Sequence, residues 1–164
     1  MKESTKVYIA APFKRKEEVK EARTKIEAAG FVVTSRWIDF ESHEPDINDP
    51  ENFNFYQIQA IHDVEDIDKA DVLIMLNLEP SEGKMFELGL AAALLKAGII
   101  VGKRTHTFHF LNFPVVSDIE AAIQLIKQWE EIRNTTTEKV EELITIRKTA
   151  LEYGDLAGAM AAKD

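Results

Sequence analysis

Val72-Leu73-Ile74-Met75-Leu76 is the stretch on which the fold turns. Five consecutive apolar residues with no polar alternation describe a strand covered on both faces, as in a parallel sheet flanked by helices. A turn over residues 79–83 and a Leu- and Ala-rich helix over residues 84–97 follow, with Gly98 as its terminator and residues 99–101 as the next strand. On the N-terminal side, residues 54–69 show helical spacing through Ile58, Ile61 and Ile67. Residues 35–53, with Pro45, Asp46, Asn48, Asp49 and Pro50, have no period and read as a long loop. Loops of that length inside a domain are often functional. Further back lie a strand over residues 31–34 and a helix over residues 15–29, ended by a left-handed Gly30. The first strand, residues 6–11, stops at Pro12. Beyond residue 101 come an aromatic, histidine-bearing loop (residues 105–113), a brief fifth strand at Val115-Val116, and a helix from Asp118 through Trp129. From Thr135 onward the chain is a charged amphipathic helix that fades into Gly- and Ala-rich sequence and either packs on a partner subunit or frays.

This alternation predicts a single α/β domain: a doubly wound five-stranded parallel sheet, flavodoxin- or Rossmann-like, with right-handed crossovers. Residues 1–130 make the domain and residues 131–164 a C-terminal helical extension. Such sheets bind ligands at the carboxyl ends of their strands, so the segments after Ala11, Thr34, Leu76 and Val101 should line the site.

The 164 residues suit one domain, and 45% hydrophobic with 30% charged residues is an ordinary globular balance. A net charge of -9 argues against nucleic acid or an anionic membrane as partner, although a local basic cluster still suits a small anion. With no cysteine, disulfides and thiolate metal sites are excluded. No signal peptide or membrane-length apolar run is visible, and the expected location is the cytoplasm.

Three polar groups fall near the predicted strand ends: Tyr8 within the first strand, Asp63 on the helix before the third, and Glu87 early in the helix after it. Each has an ordinary structural reading, as a packed aromatic, a solvated acid and a dipole-complementing acid. Glu87, however, opens the otherwise apolar string Glu-Leu-Gly-Leu-Ala-Ala-Ala-Leu, and burying a carboxylate costs free energy unless it has a partner or a task. Near a helix N-terminus the macrodipole favours its anion, which suits a nucleophile. Lys14, Arg15 and Lys16 are either a solvated helix start or a hold for a phosphate. Arg36 and Trp37 follow the second strand, a place from which they could contact phosphate or stack on a base, although the residues by themselves make Trp37 core. His106 and His109 stand three apart but lack the helical context and carboxylate partners of a metal site, so no metal is expected, nor a cofactor.

The strand Lys6-Val7-Tyr8-Ile9-Ala10-Ala11-Pro12-Phe13, the segment from Asp63 through Ala70-Asp71-Val72-Leu73-Ile74, and Ser81-Glu82-Gly83-Lys84-Met85-Phe86-Glu87-Leu88-Gly89 resemble the nucleoside 2-deoxyribosyltransferase family, which includes the deoxynucleoside 5'-monophosphate N-glycosidases. The resemblance covers about residues 6–128. It implies cleavage of the N-glycosidic bond of a 2'-deoxynucleoside or its monophosphate through a glycosyl-Glu intermediate. Deoxyribose then passes to another base or to water. By that resemblance Glu87 is the nucleophile, Tyr8 orients its carboxylate, and Asp63 holds the sugar or assists proton transfer to the leaving base. Gly83 lets backbone approach sugar or phosphate, and Ser81, Pro12, Phe13, Lys14, Arg15, Arg36, Trp37 and His109 complete the substrate site. Transferases often carry an aspartate where this chain has Ser81, a departure that resembles the monophosphate glycosidases. Against those, Ala11-Pro12 replaces the glycine that usually follows the first strand. The family's counterpart of the aromatic loop reaches a neighbouring subunit's site, so a homodimer or larger homo-oligomer is expected. The rival reading is a nucleotide-binding module of the same fold without catalysis, which has no need for Tyr8, Asp63 and Glu87 together. A second rival, a flavodoxin-like receiver or flavin protein, is disfavoured, since Ala10-Ala11 and Leu76-Asn77 occupy the places of a receiver's acidic groups.

Overall fold

Strand β3 (Val72–Asn77) lies at the centre of a five-stranded sheet and is buried along its first five residues. The computed structural model describes residues 4–40, 45–111 and 113–161. The other strands are β1 (Lys6–Ala10), β2 (Val32–Val33), β4 (Ala97–Gly102) and β5 (Val115–Val116). The order is β2-β1-β3-β4-β5, with every neighbouring pair parallel. Helices α1 (Lys16–Ala28), α2 (Phe53–Lys69), α3 (Glu82–Ala93) and α4 (Ile119–Ala161) make the crossovers and the C-terminal element. The order reverses between β1 and β3, which places the switch point at the carboxyl ends of these two strands.

Side chains explain why β2 is so short. Past Val33 the Ser35 hydroxyl accepts the Ile9 N–H at 2.6 Å, and the Trp37 indole donates to the Ile9 carbonyl at 3.1 Å. These groups replace a backbone ladder and pin the chain after β2 to the end of β1. The expected 35–53 loop is partly ordered by 3-10 turns at Arg36–Asp39 and Pro50–Asn52. Asp49 caps the second of these, its side chain accepting the Glu51 N–H.

Gly30 ends α1 at φ 95°, as the sequence predicts. Gly98 does not end α3. That helix stops at Ala93, Leu95 takes the left-handed conformation at φ 56°, and Gly98 lies inside β4. The Phe113 ring packs on Gly98 so closely that a Cβ there would sit 2.6 Å from it. Phe113, at the end of the aromatic loop, is accordingly buried. The chain divides into compact units Met1–Ile123 and Gln124–Asp164. The break expected after Trp129 is absent, because residues 130–134 contain no glycine or proline and α4 continues. Within it Thr135, Thr136 and Thr137 each donate to the carbonyl four residues back. Among the described residues no helix is long and apolar enough to cross a membrane.

Candidate active site

Tyr8 is fully buried in β1, and its hydroxyl donates to Glu87 Oε1 at 2.5 Å. The bond ties the middle of β1 to α3 across 79 residues of sequence. Burial, then the charges of Glu87 and Asp63, push the phenol pKa far above its ordinary value, so the hydroxyl is a permanent donor. Glu87 is half-buried in the second turn of α3, past the free amides at the helix start. The dipole stabilisation expected from its position is therefore outweighed. Burial and the charge of Asp63 push its pKa up to about 8, against the lowering pull of Tyr8 and Lys84.

Asp63 comes from α2 and is half-buried. Burial and the charge of Asp66 push its carboxyl up to about 6, opposed by the Tyr8 hydroxyl and Arg36. Its Oδ1, like Gln59 Oε1 and His62 Nδ1 on the same face of α2, is buried without a hydrogen-bond partner among the described residues. Buried polar atoms without partners are what a bound ligand's hydrogen-bonding groups can satisfy.

Asp66 and Lys84 were not singled out by the sequence. Asp66 is buried one turn beyond Asp63 and accepts from Arg36 through its backbone N–H at 2.9 Å and Nε at 2.8 Å. Arg36 also donates to the His62 carbonyl and to Glu65. The guanidinium thus fastens the chain after β2 onto α2. Lys84 is buried at 2% exposure in the first turn of α3, where Ser81 caps the helix by accepting the Lys84 N–H. Its ammonium donates to Asn77 Oδ1 at 2.6 Å and the Glu79 carbonyl at 2.5 Å. Burial pulls its pKa down, while Glu79 and Glu87 push it up. One signal was available: Lys84 interrupts an apolar helix as Glu87 does.

The remaining candidates are spread around this centre. Phe13 lies in a 3-10 turn after Pro12, its ring 6.2 Å from the buried Trp37. Lys14 is exposed and pairs with Glu79 at 2.9 Å, and Arg15 pairs with Glu18. A methyl added at Gly83 would meet only Ser81 Oγ, at 4.0 Å, so packing within the chain does not demand glycine there. His109 is buried, with Nδ1 accepting the Thr105 N–H and Nε2 3.3 Å from Met85 Sδ. The proton is therefore on Nε2, and burial lowers the pKa.

A cavity of about 540 Å³ lies between the start of α3 and the loop carrying Thr105 and His109, with Lys84, Met85, Phe86 and Phe108 among its walls. Glu87 and Tyr8 do not line it. Met85 is two residues from Glu87, more than half a turn round the helix. Among the described residues no cluster of three or more acidic or histidine side chains suits a metal ion.

The sequence profile described as nucleoside 2-deoxyribosyltransferase matches residues 7–144, most of the chain and part of α4. The chain belongs to that family. No curated protein matches it in sequence. Three solved structures share the fold of this family member. A 2-deoxyribosyltransferase of Bacillus psychrosaccharolyticus has TM-score 0.57 at 20% identity, over 73% of this chain and 90% of its own. A CMP N-glycosidase of Clostridium botulinum has TM-score 0.50 at 19% identity, over 76% and 99%. A conserved protein of Enterococcus faecalis has TM-score 0.59 at 18% identity, over 77% and 99%. The family and fold support glycosyl transfer in general.

Proposed function

We propose that this family member cleaves the N-glycosidic bond of 2'-deoxynucleosides or their 5'-monophosphates, with Glu87 as nucleophile. The observation that carries this reading is the 2.5 Å bond from the buried Tyr8 hydroxyl to Glu87 Oε1, with a half-buried Asp63 carboxyl beside the pair. Ionised Glu87 attacks the anomeric carbon from the face opposite the base. The C–N bond breaks, Asp63 delivers a proton to the departing base, and deoxyribose remains as an ester on Glu87. A second base or water then attacks that carbon, gives its proton to the Asp63 carboxylate, and frees the Glu87 carboxylate. Splitting the displacement into two steps through a covalent ester is the logic of retaining glycosidases. A 2'-deoxy sugar lacks the electron-withdrawing 2'-hydroxyl and reaches the cationic transition state more readily.

The reading is tested with a panel of deoxynucleosides and 5'-monophosphates, with and without an acceptor base, assayed for free base and base exchange. Release from at least one member, lost in Glu87→Gln, is expected. Nucleotide binding with no release from any member would leave a binding module instead. A second reading comes from the fold-mate that acts on CMP. CMP consumed as fast as dCMP would favour a ribonucleotide substrate and remove the deoxy preference.

A further inference from the structure

We propose that Lys84 is a positioning residue for Glu87: its buried ammonium, tethered by Asn77 and the Glu79 carbonyl one turn before Glu87, is the fixed counter-charge to the Glu87 carboxylate. The inference rests on the nucleophile reading above. Its starting point is a buried cation whose two hydrogen-bond acceptors, Asn77 Oδ1 and a backbone carbonyl, are both neutral. Desolvating an ammonium costs several kcal/mol unless an opposite charge offsets it. A neutral donor would serve if the task were only to hold the β3–α3 turn.

The opposite charges acting on Lys84 are Glu79 and Glu87. Glu79 acts on it more strongly than Glu87, its Oε2 shared with Lys14 at 2.9 Å and its Oε1 buried without a hydrogen-bond partner among the described residues. Glu87 lies three positions further along α3, a spacing that puts two side chains side by side on a helix, with Cβ atoms about 5–6 Å apart. The other groups acting on Glu87 are Tyr8 from β1 and Asp63 from α2. Tyr8 supplies a hydrogen bond without a charge, and Asp63 opposes ionisation. Lys84 is the positive charge in that set. Asn77 keeps it there, because the Asn77 amide nitrogen is itself fixed by the Lys103 carbonyl and Thr105 Oγ1.

The test compares Lys84→Met, which removes the charge, with Lys84→Arg, which keeps it. Glu87 titration is read by carboxyl ¹³C NMR, and kcat/KM for the deoxynucleotide that the panel identifies is read as a function of pH. Coulomb's law at that helical spacing and an effective dielectric near 20 predicts that Glu87 in Lys84→Met titrates about one to two pH units higher. The kcat/KM deficit should be about tenfold or more at pH 7 and close as pH rises, while Lys84→Arg restores the wild-type profile. A merely structural lysine predicts a pH-independent loss. Should Lys84→Met not fold, Lys84→Gln keeps a donor for Asn77. The wild type gives a check that needs no variant, since the Lys84 ¹³Cε signal must shift as Glu87 ionises. A Glu87 titration unmoved in a folded charge-removed variant, or a Lys84 signal indifferent to Glu87, overturns the proposal. The NMR titration needs no turnover. A shifted Glu87 in a chain that releases no base would instead count against the nucleophile reading alone.

Discussion

Replacing Tyr8 with Phe removes one oxygen from a fully buried side chain and leaves its packing in place. The lost bond is the 2.5 Å donation to Glu87. Hydrogen bonds to an ionised group contribute about 1.5–3 kcal/mol, against about 0.5–1.5 for neutral pairs. The difference falls on the anion, so Glu87 should titrate about one unit above its present value of about 8, at roughly 1.4 kcal/mol per unit. At pH 7 roughly one Glu87 in ten is ionised in the wild type, and in Tyr8→Phe roughly one in a hundred.

The expected result in steady-state assays of base release is a fall in kcat/KM of about tenfold at pH 7, reaching a hundredfold if the hydroxyl also orients the attack. The deficit should shrink as pH rises past 8, because Glu87 then ionises in both proteins. Activity at pH 7 within a factor of two of wild type would refute the argument. A deficit of equal size from pH 6 to pH 10 would show that the hydroxyl acts on the substrate rather than on Glu87.

Glu87→Gln should abolish turnover yet melt higher than the wild type at pH 9. A carboxyl whose folded pKa is raised leaves stability intact below its ordinary range and lowers it as pH rises through about 8, and Gln cannot ionise. Thermal denaturation should show the gap narrowing toward pH 5, and a wild type that melts equally at both pH values contradicts the burial argument. The exposed Phe86, Phe108 and Phe110 form apolar surface that monomers rarely leave open, and light scattering should return a dimer or larger. A monomeric mass at full activity would refute that. Neutralising Lys14 or Arg15 should weaken a 5'-monophosphate substrate about ten- to a hundredfold and spare the nucleoside, with an effect that salt reduces. Equal losses on both substrates would mean that the Lys14–Glu79 pair is structural only.

The fold was legible because its strongest signals are local. The unbroken apolar run of β3, the left-handed Gly30 and the helical spacing of α2 each needed only a short window. Errors arose where a distant partner decided the outcome. Gly98 looks like a helix terminator until the Phe113 ring is found against it, and no window of sequence contains both facts. The same holds for the site. Tyr8, Asp63 and Glu87 could be singled out by type and position, but the bond between Tyr8 and Glu87 depends on which strands are neighbours. Arg36 follows β2 in sequence, but its bonds go to Asp66, 30 residues away, and no short window joins the two.

The titrations of Glu87 and Asp63 stand in an inverted order for the chemistry proposed. At neutral pH burial keeps the proton on Glu87, near 8, rather than on Asp63, near 6. The reaction needs the reverse, an ionised nucleophile and a protonated acid. Two interacting carboxyls lose their protons as a pair, so the reactive arrangement is a minor member of the singly protonated state, on the order of one per cent at pH 7 if the two act independently. Every group acting on the pair changes that fraction. Tyr8 and Lys84 favour the Glu87 anion, and the Asp66 charge favours protonated Asp63. The Tyr8 hydroxyl and then Arg36 work against the second effect by lowering the Asp63 pKa, but the bonds of Arg36 with Asp66 also hold that charge in place. A developing positive charge on the sugar adds to the bias, because it stabilises the Glu87 anion at the moment of attack. Burial therefore does not disqualify Glu87 as a nucleophile. It makes the anion scarce in the empty site and more basic where it forms, and leaves Tyr8, Lys84 and the substrate to supply the stabilisation that water would otherwise give.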